Sequence, residues 1–353
     1  MNEEYRIRAY CGLVENDSIW LYDECLDMLF KADSEGNFKS ICHLKQEKES
    51  EIFVIKLVYW EGKVFAFSRY KCGYWIIQEQ LPGGNICDFH KYVDNCSIQS
   101  VEQHKNEVWI FPQTSDTPIN CINLDTLEVD RIEWMCSENI NSITKTIYQN
   151  NHIYFATRSV NNVYVGDVDC INREIKYFNV DKAKYVNCVC IHQESIYVLY
   201  LNNAREVILE KYTLDGMSER TYVLNKTINM KDSMAITFNM MEIEENHLIL
   251  YQYDVCRIID VDLETGKTIE IYNKKDKVGG FSEAHRYKGK VFLTSICGDI
   301  GVFDIRCKQF EIRKCYLSKN IKYELLKDTI MRNNLVFDSP NIGIESLIHV
   351  MCK

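Results

Sequence analysis

The sequence predicts an all-β fold built from seven copies of one unit, each a tight turn followed by an apolar strand. The copies align on the first residue of that strand, and successive copies are 45, 44, 45, 43, 52 and 43 residues apart. The aligned residues are Ile19, Val64, Val108, Ile153, Ile196, Leu248 and Val291. A regular period in the forties is typical of repeat architectures with about four strands per unit. We therefore predict a seven-bladed β-propeller of four-stranded antiparallel blades.

The strand that follows each turn is apolar on both faces. Its first residue is β-branched in six of the seven copies, and its second residue is aromatic in six of the seven. Both residue types favour strands because they fit a pleated, packed surface. In the second copy, Val64–Phe67 contains no polar residue. Since successive side chains of a strand point to opposite faces, such a run predicts a strand covered on both sides, as in radially packed blades.

A pair of turn residues precedes each of these strands. The pairs are Asn16-Asp17, Glu61-Gly62, Lys105-Asn106, Asn150-Asn151, Gln193-Glu194, Glu245-Asn246 and Lys288-Gly289. Gly, Asn and Asp tolerate the positive φ that a two-residue hairpin needs, and only Gln193-Glu194 contains none of them. A second turn in most copies follows an aspartate, for which we expect a turn-capping role. These aspartates are Asp33, Asp125, Asp169, Asp215, Asp262 and Asp304.

The repeats define the predicted domain organisation. They lie near residues 10–45, 53–90, 98–135, 142–180, 184–224, 235–273 and 281–317, which predicts one propeller domain over 1–318. The longest spacing places an insertion near Asn225–Ser233, which we expect to be a surface loop. From residue 319 the repeat stops, and apolar residues with helical spacing begin at Ile321. We therefore expect 319–353 to be a helical appendage, which either packs on the ring or docks a partner.

The way in which the ring closes stays open in the sequence. Tyr5–Tyr10 is predicted either as the innermost strand of the first blade or as an outer strand added to the last blade.

The composition narrows the class of partner. The formal net charge of −10 argues against nucleic acid or an anionic membrane surface as the main partner. No apolar run reaches membrane-spanning length, and Met1–Arg6 lacks the apolar core of a secretory signal. We therefore expect a cytoplasmic protein whose 16 cysteines are reduced and mostly buried.

Short motifs add a resemblance to known propellers. Asp262-Leu-Glu-Thr-Gly-Lys267 resembles the Asp-x-x-Thr-Gly-Lys turn of quinoprotein-like propellers, and it occurs in full once. The double glycines Gly83-Gly84 and Gly279-Gly280 resemble kelch repeats in part, whereas the Gly-His and Trp-Asp dipeptides of WD40 repeats are missing. The resemblance covers nearly the whole chain as architecture. It implies the propeller fold and carries over no functional residues.

The sequence contains none of the common catalytic or cofactor signatures, so no cofactor is predicted. Cys188 and Cys190 form the closest cysteine pair, but no second pair follows at zinc-site spacing, and no metal site is predicted. Four histidines lie in or beside the inner hairpin turns, and their recurrence favours a structural role. They are His104, His152, His192 and His247.

Two repeats carry cationic residues at equivalent positions. Arg69 and Arg158 lie five residues after the aligned residue, and Lys56 and Lys145 lie eight residues before it. These four residues are the candidate ligand-binding residues for an anion over the central axis, such as a carboxylate, a phosphate or a sugar acid. The alternative interpretation is that the four long side chains are solvated at strand ends.

Glu283 and His285 are the candidate catalytic residues. They are two apart on the innermost strand of the seventh copy, so they share a face and are suited either to proton transfer or to hydrogen bonds within the channel. Because fold alone specifies no reaction, the sequence favours a non-enzymatic protein-binding or scaffolding propeller whose partner is another protein. An enzyme or small-molecule binder that holds an anionic ligand over the axis is the alternative.

Overall fold

The structure is a computed structural model. It describes residues 5–6, 9–15, 18–23, 28–33, 38–44, 53–69, 73–80, 84–91, 97–134, 142–144, 146–158, 162–224, 238–244, 246–252, 256–274, 280–295, 299–314 and 316–317. The expected insertion near Asn225–Ser233 and the expected helical appendage over 319–353 lie outside these residues.

The described residues form seven antiparallel sheets and a separate two-stranded pair, and each sheet is built from strands consecutive in the chain. The pair joins β1 (Tyr5–Arg6) to the last strand. Blade 1 comprises β2 (Ala9–Glu15), β3 (Ser18–Asp23), β4 (Met28–Asp33) and β5 (Phe38–His43). Blade 2 comprises β6 (Val54–Trp60), β7 (Lys63–Ser68), β8 (Gly73–Gln80) and β9 (Gly84–Lys91). Blade 3 comprises β10 (Ile98–His104), β11 (Glu107–Pro112), β12 (Ile119–Asn123) and β13 (Val129–Ile132).

The remaining blades follow the same order. Blade 4 comprises β14 (Ser142–Ile143), β15 (Ile147–Gln149), β16 (His152–Arg158), β17 (Val163–Asp169) and β18 (Glu174–Asn179). Blade 5 comprises β19 (Ala183–His192), β20 (Ser195–Asn202), β21 (Val207–Thr213) and β22 (Ser218–Val223). Blade 6 comprises β23 (Phe238–Glu244), β24 (His247–Gln252), β25 (Cys256–Asp262) and β26 (Thr268–Lys274). Blade 7 comprises β27 (Phe281–Tyr287), β28 (Lys290–Ser295), β29 (Asp299–Asp304) and β30 (Gln309–Lys314), and β31 is Tyr316–Leu317.

The predicted architecture is confirmed: the protein is a β-propeller of seven four-stranded antiparallel blades. In blade 4 the innermost strand is divided into β14 and β15, and both pieces pair with β16. No helix occurs among the described residues.

The second strand of each blade holds the core together because its alternate side chains pack against different neighbours. Val64 and Ala66 of β7 belong to a cluster shared with blade 1, whereas Phe65 and Phe67 belong to a cluster shared with blade 3. The same division recurs at the interfaces between blades 3 and 4, 4 and 5, 5 and 6, and 6 and 7. The continuous apolar runs of the sequence therefore cover both faces of a strand between two blades, as predicted.

The inner hairpin turns use the left-handed backbone that the sequence predicts. Glu61 and Gly62 have φ values of +44° and +81°, and Asn150 and Asn151 have +52° and +66°. Gln193–Glu194, the pair without Gly, Asn or Asp, adopts +43° and +59° as well. The hairpin imposes this conformation because its twist must match that of the two strands it joins.

The expected turn-capping aspartates are confirmed in blades 4, 6 and 7. The Oδ1 atoms of Asp169, Asp262 and Asp304 each accept hydrogen bonds from the backbone N–H groups two and three residues later. In blade 3 the same two bonds go to the Oδ1 atom of Asn123, so the expectation for Asp125 is wrong. Asp125 instead accepts hydrogen bonds from the Nε1–H group of Trp60 in blade 2 and from the side-chain amide of Asn106, at 2.7 Å each.

Neither alternative for Tyr5–Tyr10 holds for the whole segment, because only Ala9 and Tyr10 belong to the innermost strand of blade 1 and Tyr5–Arg6 is not added to the sheet of blade 7. Tyr5–Arg6 pairs with Tyr316–Leu317, which follows blade 7, whereas the innermost strand of blade 1 begins at Ala9. The strands of blade 1 contact β27 and β28 of blade 7 directly.

Candidate functional site

A cavity of about 380 Å³ lies where the innermost strands of all seven blades meet. Each blade contributes at least one side chain to its wall, among them Leu13, Lys56, Glu102, Thr146, Cys188, Met240 and Glu283. Tyr251, from the second strand of blade 6, also lines it. We call this space the axial cavity. Its size is that of a pocket for a small molecule.

Glu283 is the most buried charged group in the wall of the axial cavity, with 4% of its surface exposed. Its Oε2 atom accepts a hydrogen bond of 3.1 Å from the backbone N–H of Gly12 in blade 1, and lies 3.4 Å from Nε2 of His285. Its Oε1 atom lies 3.9 Å from Nζ of Lys56 in blade 2. One carboxylate therefore faces groups from three blades, and the cationic Lys56 compensates part of its charge.

A chain of hydroxyl groups supports Glu102 on the wall of the axial cavity. The Oγ1–H group of Thr146 in blade 4 donates a hydrogen bond of 2.9 Å to Oε1 of Glu102 in blade 3. The hydroxyls of Ser100 and Thr146 are 2.7 Å apart, and the backbone N–H of Thr146 donates to the Ser100 hydroxyl at 3.1 Å. The chain orients the carboxylate of Glu102 and ties blade 3 to blade 4.

Tyr251 places a phenol against the axial cavity while only 3% of the residue is exposed. Burial raises the pKa of Tyr251 far above its ordinary value, and the nearby charge of Glu283 raises it further. The phenol therefore stays protonated and able to donate a hydrogen bond.

The axial cavity brings together three of the six residues that the sequence singles out. Lys56, Glu283 and His285 all line it. Lys145 lies outside the described residues. The side chains of Glu283 and His285 are close enough to exchange a proton, and the catalytic role of these two residues stays a prediction.

Arg69 and Arg158 do not line the axial cavity. The Nη2–H group of Arg69 donates a hydrogen bond of 3.1 Å to Oε1 of Gln99. The guanidinium of Arg158 lies 4.7 Å from the ring centre of Tyr185 in blade 5. Each arginine thus contacts its own neighbour between blades, and the anion site that combines them with the lysines stays a prediction.

The sequence analysis missed Glu102, Tyr148 and Tyr251 as cavity residues. One position in the repeat could have indicated such cavity residues. It lies six residues before each aligned residue, which is two residues after the position that contains Lys56 and Glu283. Five of the seven residues at that position line the axial cavity: Leu13, Val58, Glu102, Ile147 and His285. Residues two apart on a strand share a face, so both positions point to the same space.

The four recurrent histidines occupy structural places in the blades. Nδ1 of His152 lies 2.7 Å from Oδ1 of Asp167, and Nδ1 of His247 lies 2.9 Å from Oδ1 of Asp260, at equivalent positions of blades 4 and 6. His104 and His192 are buried at the ends of β10 and β19, where their rings contact Tyr148 and Tyr197.

The thiols of Cys188 and Cys190 form no disulfide and are buried in the cluster between blades 5 and 6. Burial raises the pKa of the Cys188 thiol well above its ordinary value. The residues that the structure describes contain no cluster of three His, Cys, Asp or Glu side chains placed to hold a metal ion. Within the same residues, no helix has the length and apolar character needed to cross a membrane.

Comparisons with known proteins agree with the fold. No family model and no curated sequence matches this chain. The WD40 domain of Neurospora crassa Pan2 superposes with a TM-score of 0.56 at 12% identity, covering 83% of this chain and 88% of that domain. BamB from Moraxella catarrhalis superposes with a TM-score of 0.51 at 10% identity, covering 81% of this chain and 79% of that chain. A protein of unknown function from Desulfotomaculum acetoxidans has a TM-score of 0.54 at 9% identity, covering 85% of this chain and 99% of that chain. At these identities the similarity shows the propeller fold alone.

Proposed function

We propose that this propeller is a non-catalytic protein-binding module whose partner docks on the outer edge of blades 5 and 6. Seven large apolar side chains are exposed among those that the structure describes, and four of them lie on this edge. They are Leu214, Met217, Val223 and Ile269, and we call them the blade 5–6 rim. Met217, Val223 and Ile269 are 62%, 55% and 65% exposed, and this exposure is the observation that carries the proposal.

The outermost strand of blade 5, β22, is held against blade 6. The Tyr222 hydroxyl donates a hydrogen bond of 2.5 Å to the backbone oxygen of Leu263 in blade 6. Val223 follows Tyr222 in the chain, and Ile269 lies in the strand that starts just after the blade 6 turn. Four exposed apolar side chains on two neighbouring blades favour a protein partner, since a single exposed apolar residue would need no explanation.

The charges on β22 are engaged within the ring. Glu219 forms an ion pair of 2.7 Å with Lys211, and Arg220 donates a hydrogen bond of 2.7 Å to the backbone oxygen of Glu264. β22 is also the outermost strand of its sheet in the described residues. An edge strand presents backbone groups to a further strand. We therefore propose that the partner supplies an extended, largely apolar segment that lies along β22.

Site-specific photo-crosslinking tests this proposal. A photoreactive amino acid at position 217 or 223 is expected to capture the same partner protein in cells, whereas one at Arg131, which is exposed on the outer strand of blade 3, captures none. The triple variant M217S/V223S/I269S is expected to lose the partner while its circular dichroism and melting temperature stay unchanged.

Two results would contradict the proposal. One is equal capture from position 131 or no capture from positions 217 and 223. The other is retention of the partner by the folded triple variant, which would place the binding surface elsewhere on the protein.

A further inference from the structure

We infer that the axial cavity binds a small neutral molecule whose carbonyl oxygen accepts a hydrogen bond from the Tyr251 hydroxyl and whose remainder is apolar. This site is separate from the blade 5–6 rim and goes beyond the protein-binding function proposed above. The cavity of about 380 Å³ falls in the size range of small-molecule pockets, and it is partly open to solvent.

Tyr251 reaches the axial cavity from further out than its neighbours on the wall. It belongs to β24, the second strand of blade 6, whereas nearly all the other wall residues belong to innermost strands. Burial and the charge of Glu283 in blade 7 raise the pKa of Tyr251, whereas the charge of Lys56 in blade 2 lowers it. Because blade 2 lies across the ring from blade 6, the phenol extends toward the axis, and its hydroxyl is the part that meets the cavity.

The Tyr251 hydroxyl is a buried donor without a hydrogen-bond partner among the described residues. Only 3% of the residue is exposed. Buried hydroxyl groups in proteins are nearly always hydrogen-bonded, because an unmet donor costs free energy. A ligand that offers an acceptor oxygen at this point recovers that free energy, whereas a ligand that offers only donors leaves the O–H group unmet.

The neutral state of the ligand follows from the same donor. A hydroxyl group satisfies a carbonyl oxygen, but it does not compensate a charge that has been brought out of water. The Lys56 ammonium group lies 3.9 Å from Oε1 of Glu283, so this cation already faces a carboxylate of the protein. A charged ligand would therefore lose its hydration without gaining a counter-ion from Tyr251 or Lys56.

The wall beside Tyr251 suits an apolar body. Met240 and Met241 lie on β23, the strand that pairs with β24, and both line the cavity. Unbranched methionine side chains adapt to irregular ligands. Val58 and Ile147 add further apolar surface from blades 2 and 4. Burial of the body in this wall supplies affinity, and the single hydrogen bond to Tyr251 fixes its orientation.

Three probes that share a phenylpropyl body test the inference with the full chain. They are N,N-dimethyl-3-phenylpropanamide, the corresponding amine N,N-dimethyl-3-phenylpropylamine, which lacks the carbonyl oxygen and is a cation, and 3-phenylpropionate. Titration calorimetry is expected to show that the amide binds about tenfold or more tightly than the other two. The amide is also expected to raise the melting temperature most, because it stabilises the folded state by binding to it.

Tyr251→Phe removes the donor and keeps the ring. We expect it to weaken amide binding about three- to tenfold, which corresponds to one neutral hydrogen bond, and to leave the affinity for the amine unchanged. Tyr154→Phe is the matched control and should change neither affinity. Tyr154 is likewise buried on the second strand of its blade, at 4% exposure, but it does not line the axial cavity.

Infrared spectroscopy separates a hydrogen bond from a merely structural role of Tyr251. The carbonyl band of the bound amide, labelled with carbon-13, should lie at lower frequency in the natural protein than in Tyr251→Phe. Loss of packing alone would not move the band in this direction.

Opposite results would overturn the inference. Tighter binding of the amine or of 3-phenylpropionate would identify a charged ligand. An unchanged amide affinity and carbonyl band in Tyr251→Phe would show that Tyr251 does not bind the carbonyl. Failure of all three probes to bind at about 10 mM would exclude a site of this kind, since that concentration detects even millimolar affinity. If Tyr251→Phe does not fold, the probe series and the band in the natural protein, compared with the amide in hexane, still decide.

Discussion

The buried carboxylate of Glu283 in blade 7 accepts a hydrogen bond of 3.1 Å from the backbone N–H of Gly12 in blade 1. A Cβ atom at Gly12 would lie 2.7 Å from Cγ2 of Thr294 in blade 7 and 3.2 Å from the backbone oxygen of Trp20. The missing side chain therefore allows the two blades to approach closely enough for this bond. In the described residues no blade takes a strand from the other end of the chain, so contacts of this kind close the ring together with the pairing of Tyr5–Arg6 and Tyr316–Leu317.

Gly12→Ala is expected to destabilise the protein by about 1–3 kcal/mol, because the added methyl group forces the two blades apart. Urea unfolding measures the change in free energy. Hydrogen exchange locates it: amides of β2 and β27 should exchange faster, while those of β16 and β20 on the far side of the ring keep their rates. Uniformly faster exchange would contradict a local effect at the point of closure.

Glu210, with 2% of its surface exposed, is held in blade 5 by four hydroxyl groups. The Tyr200 and Tyr212 hydroxyls donate to Oε2 at 2.6 and 2.8 Å, and those of Ser218 and Thr221 donate to Oε1. Glu210→Gln turns one acceptor into a donor facing these hydroxyls, and we expect a loss of about 2–3 kcal/mol in unfolding free energy. Glu219→Gln, on the exposed strand β22, is the control and should change stability by less than about 0.5 kcal/mol.

The same carboxylate predicts a dependence of stability on pH. Burial raises the pKa of Glu210, but the hydroxyls of Ser218, Tyr200 and Tyr212 outweigh burial, so its pKa lies below the ordinary value of 4.5. Because the unfolded chain binds this proton more readily, the stabilisation is present above pH 4.5 and is lost as pH falls through the lowered pKa. The gap in stability between the natural protein and Glu210→Gln should therefore narrow at acid pH. Urea unfolding over a pH series measures the gap, and a constant gap would contradict the prediction.

Gly216 and Gly62 form a matched pair for testing contact between blades. Both have positive φ, +87° and +81°, but a Cβ atom at Gly216 would lie 2.6 Å from Phe178 in blade 4, whereas one at Gly62 would meet nothing within 4 Å. Alanine at either position adds about 1–2 kcal/mol of backbone strain. Gly216→Ala should lose about 1–3 kcal/mol more because of the clash.

Thermal unfolding of the two alanine variants measures this difference. Gly216→Ala should cost less in a Phe178→Ala background, because that change removes the Cγ and Cδ1 atoms of Phe178, two of the three atoms nearest to the added methyl group. If alanine at positions 62 and 216 lowered the stability equally, the turn of blade 5 would not be in tight contact with blade 4.

Asp125 and Trp60 join the turns of blades 3 and 2, and the indole hydrogen bond lowers the pKa of Asp125 below its ordinary value, with a second contribution from Asn106. In Trp60→Phe the indole donor is lost, so the pKa of Asp125 should rise toward 3.8. An NMR titration of the Asp125 carboxyl measures it. Trp134→Phe, which changes an indole bonded to the backbone of Thr117, should leave the pKa of Asp125 unchanged.

The fold could be predicted because its signals are local and are repeated seven times. The turn residues and apolar strand that predict each hairpin lie within about ten residues of one another. Where one copy lacks the usual turn residues, as at Gln193–Glu194, its regular spacing from the other copies still identifies it. The two-sided burial of Val64–Phe67 followed from the absence of polar residues in the run. The role of Asn123 was missed because an aspartate, Asp125, stands two residues later in the same turn.

The axial cavity could be predicted only in part because its contacts join distant parts of the chain. Gly12 and Glu283 are 271 residues apart, and no local pattern links them. Equivalence in the repeat suggested that Arg69 and Arg158 act together, but rotation around the ring separates equivalent positions of different blades. Each side chain then takes the partner nearest to its own blade, which is Gln99 for Arg69 and Tyr185 for Arg158.

The short pairing of Tyr5–Arg6 with Tyr316–Leu317 has a mechanical consequence. Tension applied between these two segments loads a pair only two residues long on each side, whereas every blade behind it is a complete sheet of four strands. The pair should therefore yield first, and the blades should then detach one at a time from the two ends of the chain. Stretching the chain with optical tweezers would record a small initial increase in length, followed by larger increases that each correspond to the unfolded chain of about one blade.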